Sequence, residues 1–114
     1  MEGLTVAKEK IKYPFEFNGA VIYFEKPSLT FIGKLQLEKP DVMLFSLTLL
    51  ESCAVGWEKV FDEAGQPLSF SKETFRLLID YPPDSSFFAK ITDFIETLLP
   101  KVAEKSKKSE ELKN

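Results

Sequence analysis

The chain has 114 residues, 44% of them hydrophobic and 29% charged, with a formal net charge of -3, a length that supports one core and no separate substrate domain. A single arginine in an acidic chain argues against a nucleic-acid surface, which draws its affinity from clustered Lys and Arg. With no histidine, and with Cys53 as the single cysteine, the commonest general base, the commonest nitrogen ligand for zinc, an internal disulfide and any Cys-x-x-Cys metal pattern all drop out, so neither an enzyme nor a cofactor or metal site is expected.

At the amino end, MEGLTVAKEKIKY lacks an apolar run behind its basic residues, and no stretch elsewhere approaches the ~20 apolar residues that span a bilayer. A cytosolic protein with no membrane partner is the expectation. Next, Ile11, Tyr13, Phe15 and Phe17 alternate with polar residues or proline up to Asn18-Gly19. Alternation that ends in Asn-Gly predicts a β-hairpin, because both turn positions of a type I′ turn need positive φ. Strands are predicted near 9–17 and 20–26. Their register pairs Phe17 with Ala20, Phe15 with Ile22 and Tyr13 with Phe24 on one apolar face, and Lys12 with Glu25 on the other. Pro14 then falls opposite Tyr23, which makes the first strand a free edge.

Residues 27–39 carry conflicting signals, partial alternation through Leu29, Phe31, Leu35 and Leu37 against a helix start at Ser28; the segment is undecided, with a lean to helix. Asp41 is a plausible N-cap for VMLFSLTLLESCAV, whose apolar residues surround nearly the whole helical wheel, and a helix apolar all round belongs in the interior. Cys53 on it reads as a small core residue rather than a reactive thiol.

The stretch GWEKVFDEAGQPLSF, from Gly56 to Phe70, reads as the helix end at Gly56, two short extended arms (Trp57–Phe61 and Gln66–Phe70) and a turn from Asp62 to Gly65. A calcium or carboxylate site at Asp62 and Glu63 would need further oxygen ligands at fixed spacing, and no DxDxDG run is present. Trp57 is expected in the core against the helix Val42–Val55, and a role as a partner anchor is the alternative. Ser71 is an N-cap candidate for a helix through Phe75, Leu78 and Ile79 that Pro82-Pro83 ends.

The last helix begins at Asp84 or Ser85 and carries Phe87, Phe88, Ile91, Phe94, Ile95, Leu98, Leu99 and Val102 within an arc of about 140°, with Pro100 expected to bend it. Phe87, Ile91, Phe94 and Leu98 are expected in the core, whereas Phe88, Ile95 and Leu99, toward one margin of the arc, are the candidates for partner contact. Residues 1–102 form the expected single domain, followed by a charged flexible tail, 103–114. The fold class is α+β: an N-terminal antiparallel hairpin, a central buried helix, a second short hairpin and C-terminal amphipathic helices.

This succession resembles the small tail assembly chaperones of long-tailed bacteriophages, in which a Gly-Trp is followed by an acidic-Gly turn, a Pro-x-x-Phe-Ser and a helix. Gly56, Trp57, Val60, Asp62, Gly65, Pro67, Phe70 and Ser71 match that pattern. The resemblance covers roughly residues 4 to 100, with its informative part at Gly56–Leu78; the bulky Phe61 and the lysine-rich end depart from it. The resemblance implies a non-enzymatic protein of the infected host cytoplasm, absent from the mature virion. Its implied partner is the apolar, mostly helical tape-measure protein, with the tail-tube protein and self-association as further contacts. It also implies a programmed ribosomal frameshift near the gene's end, with Lys107-Lys108 as the residues an A-rich slippery site would encode. Two other classes fit the same composition: a phage virion structural protein, such as a tail terminator or connector subunit, and a generic protein-binding module.

Overall fold

A computed structural model describes residues 2–6, 10–38 and 41–99. Among these residues the architecture is α+β: a three-stranded antiparallel sheet in the order β1-β2-β3 and four helices. Strands β1 (Tyr13–Phe17) and β2 (Ala20–Phe24) form the predicted hairpin about Asn18-Gly19, where φ is 50° and 82°. Both values lie in the left-handed region that the turn requires. The predicted register is observed, with Phe15 opposite Ile22 and Pro14 opposite Tyr23. Pro14 sits on the open edge of the sheet, where its missing N–H costs no ladder bond. The strands are shorter than the alternation suggested, and Glu25 meets Lys10 at 3.8 Å rather than Lys12.

The segment 27–39, undecided in sequence, is helix α1 (Leu29–Glu38) as far as it is described. Ser28 starts it: its hydroxyl accepts the Phe31 amide at 3.1 Å and its carbonyl accepts the Ile32 amide. Helix α2 (Val42–Cys53) is capped by Asp41, whose carboxylate accepts the Leu44 amide at 3.0 Å. It ends earlier than expected. Ala54 turns extended, and Ala54–Glu58 becomes β3, paired antiparallel with β2 so that Trp57 lies opposite Ile22 and Gly56 opposite Tyr23. Gly56 is therefore a mid-strand residue and not a helix end. Lys72 covers the exposed carbonyls of the helix end, its Nζ 2.5 Å from the Glu51 oxygen and 2.8 Å from that of Ala54, where a cation also complements the helix dipole.

Helix α3 (Lys72–Asp80) opens with a reciprocal capping box between Ser71 and Thr74, and α4 (Ser85–Thr97) opens on Asp84, whose carboxylate accepts the Ser86 and Phe87 amides. Those hydrogen bonds, that to the Ser86 hydroxyl foremost, hold the Asp84 carboxyl below its ordinary range. α4 stops at Thr97 and tightens through Leu98 and Leu99 amides bonded three residues back. A residue before proline disfavours helical dihedrals, so the turn closes there. Pro100, Val102 and the tail 103–114 lie outside the described residues.

The core lies between the inner face of the sheet and the helices. Phe15 and Phe24 on the hairpin meet Phe94 of α4 at 5.4 and 5.7 Å between ring centres, Phe17 meets Phe87 edge-on at 5.0 Å, and Phe24 meets Phe75 of α3 edge-on at 6.1 Å. Edge-to-face and tilted contacts of this kind add stability beyond burial. Phe24, Leu50, Phe75 and Ile91 are fully buried.

Candidate partner-binding surface

The Gly56–Phe70 stretch resolves into structure. β3 runs to Glu58, and a short hairpin then closes with Leu68 N–H on the Val60 carbonyl and Asp62 N–H on the Gln66 carbonyl. Asp62 Oδ1 accepts the Ala64 and Gln66 amides, both at 2.9 Å, and Gly65 supplies the positive φ of 81°. One oxygen of this carboxylate is thus engaged by its own turn. Trp57 is half-buried; its Nε1 donates to the Leu68 carbonyl at 2.8 Å and its ring stands edge-on to Phe70 at 5.3 Å. Trp57 packs partly buried against the core cluster, which includes Leu49, Leu50 and Cys53 of α2, and adds this contact with the returning arm. Among the described residues no three His, Cys, Asp or Glu side chains gather where a metal ion can sit, and no helix is long and apolar enough to cross a membrane. Cys53 is buried, and burial pushes its thiol up to about 11, with Lys72 nearby opposing part of that shift.

The three partner-contact residues read from sequence do not form one exposed surface. Ile95 is 1% exposed and belongs to the core, while Phe88 and Leu99 are half-buried and pack against it. The arc of α4 is largely taken up by the fold. Phe87, Ile91 and Leu98 are buried as expected, and Phe94 is half-buried among the sheet aromatics.

Exposed apolar surface appears instead on α1 and the start of α2. Val42 is 80% exposed, Met43 54%, Leu44 49% and, across the α1–α2 junction, Leu37 87%. Three consecutive residues at about 100° each sweep ~200° of a helix circumference, so the first turn of α2 presents apolar side chains over more than half of its circumference. The helix is buried only toward its other end, at Leu49, Leu50 and Cys53. The all-round apolar pattern thus does not mean an all-round buried helix. A run of exposed apolar residues of this kind costs solubility and adds nothing to the core, which makes it a candidate contact surface. The signal was present in VMLF, but exposure depends on which elements pack around it.

A second apolar feature lies at the hairpin tip. A groove of about 200 Å³ is walled by Phe17, Ile22, Leu78 and Phe87 and rimmed by Phe61, which is 55% exposed, and Lys59. Lys59 holds φ at 60°, a left-handed conformation that a side-chain-bearing residue adopts at a cost of roughly 1–2 kcal/mol. Compared with family models, with curated proteins and with solved structures, the chain matches none.

Proposed function

We propose that this protein is a non-enzymatic holding chaperone for an apolar helical segment, and that its client is the tape-measure protein of a long-tailed phage, bound in the host cytoplasm before tail assembly. The observation that carries the reading is the exposed apolar first turn of α2, Val42, Met43 and Leu44, together with the exposed Leu37 near the end of α1. The resemblance at Gly56–Leu78 supplies the client. A long apolar chain aggregates before it is enclosed, and covering it requires apolar contact that can later be released.

The size of the surface suits release. Four side chains, each burying the remainder of its surface for roughly 1–2 kcal/mol, offset an association cost of about 4–15 kcal/mol only at its low end. Such a contact is weak singly and becomes effective when several chaperone molecules line one client.

The experiment is coexpression with the tape-measure protein of the same genome. A tape-measure protein that is soluble and co-purifies only when this protein is present supports the proposal. A tape-measure protein equally soluble alone and never co-purifying overturns it, and recovery of this protein from purified virions favours a tail terminator or connector subunit instead.

A further inference from the structure

We propose that helix α1 (Leu29–Glu38) is an autoinhibitory lid on α2, lying where an apolar helical client binds, and that its release extends the exposed turn Val42–Leu44 into an apolar strip along α2. α1 packs against α2, and the stretch Val42–Leu50 of α2 carries no charge, with Ser46 and Thr48 as its only polar side chains. Whichever side of that stretch α1 covers, its departure uncovers apolar surface. The occupant is defined by the helix already there. α1 is itself apolar, with Leu29, Phe31, Ile32, Leu35 and Leu37 among its 10 residues, and a surface that holds one such helix suits another.

The attachment of α1 is weak. Leu35 is its one buried residue, Phe31 is half-buried against the core, and Leu29 and Leu37 face solvent. Among the described residues no ion pair and no side-chain hydrogen bond ties α1 to another helix or strand. The chain on either side is fastened: the Lys26 ammonium stands 5.3 Å from the ring centre of Tyr13, and Asp41 caps α2. α3, by contrast, is tied to the end of α2 by Lys72 and by the 2.7 Å pair of Arg76 with Glu51. Nor is α1 a strong helix by itself. Gly33 in its middle lowers helix propensity, no acidic residue stands in its first turn, and Glu38 at its carboxyl end opposes the helix dipole. A segment with few buried side chains and no polar fastening opens at a lower free energy than the rest of the fold. The inference rests on the client reading only for the identity of the occupant.

The test combines hydrogen exchange of the full chain, followed by mass spectrometry, with anisotropy of a fluorescein-labelled peptide that copies Ser28–Glu38. Amides of α1 should exchange at least about a hundredfold faster than those of β2 and α4. Gly33→Ala, whose added Cβ meets nothing within 4 Å, should slow exchange in α1 by about fivefold, and Leu35→Ser should speed it. The folded Leu35→Ser protein should bind the peptide at least about tenfold more tightly than the unaltered protein, because the place of α1 is vacant for more of the time. Protection of α1 equal to that of β2 and α4, exchange in α1 unchanged by Gly33→Ala, or equal peptide binding by the unaltered and folded Leu35→Ser proteins would overturn the inference; where Leu35→Ser does not fold, the Gly33→Ala comparison decides. Tape-measure binding that leaves exchange in α1 unchanged would overturn the lid and leave the client reading standing. Peptide binding as expected, without tape-measure binding, would support the lid and overturn that reading alone.

Discussion

Trp57 donates its indole Nε1–H to the carbonyl oxygen of Leu68 at 2.8 Å, a bond that ties the last strand of the sheet to the arm returning after the Asp62 turn. Together with the edge-on contact to Phe70, it holds the two arms without a regular ladder between them. Trp57→Phe keeps an aromatic edge and leaves the carbonyl to water, so it should cost about 1 kcal/mol in urea-denaturation stability. The native tryptophan emission should be blue-shifted from that of the free amino acid, since the ring is half-buried against another aromatic.

Asp62 should matter as a turn residue and Glu63 hardly at all. Asp62→Ala removes the acceptor of two backbone amides and should cost about 1 kcal/mol, whereas Asp62→Asn keeps a side-chain oxygen and should cost a few tenths. Glu63→Gln should change neither folding nor client binding. A loss of client affinity greater than about tenfold in the Asp62→Asn, Glu63→Gln pair would mean that the two carboxylates form a site after all.

Lys59→Gly should raise stability, because glycine adopts a φ of 60° freely where lysine does not. An increase near 1 kcal/mol is expected by chemical denaturation. A decrease would mean that the lysine side chain makes a stabilising contact in solution that outweighs the backbone cost.

Burial holds the Cys53 thiol protonated up to about 11, against 9.0 in its ordinary state. The unfolded chain releases this proton first, so between about pH 9 and pH 11 the unfolded state binds fewer protons than the native one and stability falls as pH rises. Below pH 9 the contribution is fully present. Cys53→Ala should flatten the decline over that window in a series of denaturation midpoints, at the expense of some packing. In the native protein at pH 8, the thiol should react with a thiol reagent only at the rate of unfolding.

The parts of the fold that sequence made legible are those fixed by a few neighbouring residues. Asn18-Gly19 fixes the hairpin and its register, and the side-chain caps at Asp41, Ser71 and Asp84 mark three helix starts. The parts that stayed hidden depend on distant partners. The helix stops at Cys53 because Ala54–Glu58 pairs with β2, some thirty residues earlier, and Lys72 caps the carbonyls left behind; no local signal in Ala54-Val55-Gly56 announces that exchange. The exposed apolar turn of α2 was hidden for the same reason. Periodicity identifies Ile95 and Val42 alike as apolar, and only the packing around each helix decides that the first, on α4, is buried and the second, on α2, exposed. In the Gly56–Phe70 stretch, Trp57, Asp62 and Gly65 serve turn and arm geometry, so the pattern there carries no information about where a partner would bind.

The most direct test of the chaperone account is client affinity measured for two double variants side by side. Met43→Ser with Leu44→Ser alters the exposed turn of α2, whereas Phe88→Ser with Leu99→Ser alters half-buried side chains of the last helix and the turn after it. Binding to the purified apolar segment of the tape-measure protein by titration calorimetry, with melting temperatures taken in parallel, should show the first pair losing affinity by about tenfold to a hundredfold at a nearly unchanged melting temperature. The second pair should lower the melting temperature instead and, where still folded, bind as the unaltered protein does. Unaltered affinity in a folded Met43→Ser, Leu44→Ser variant would contradict the account.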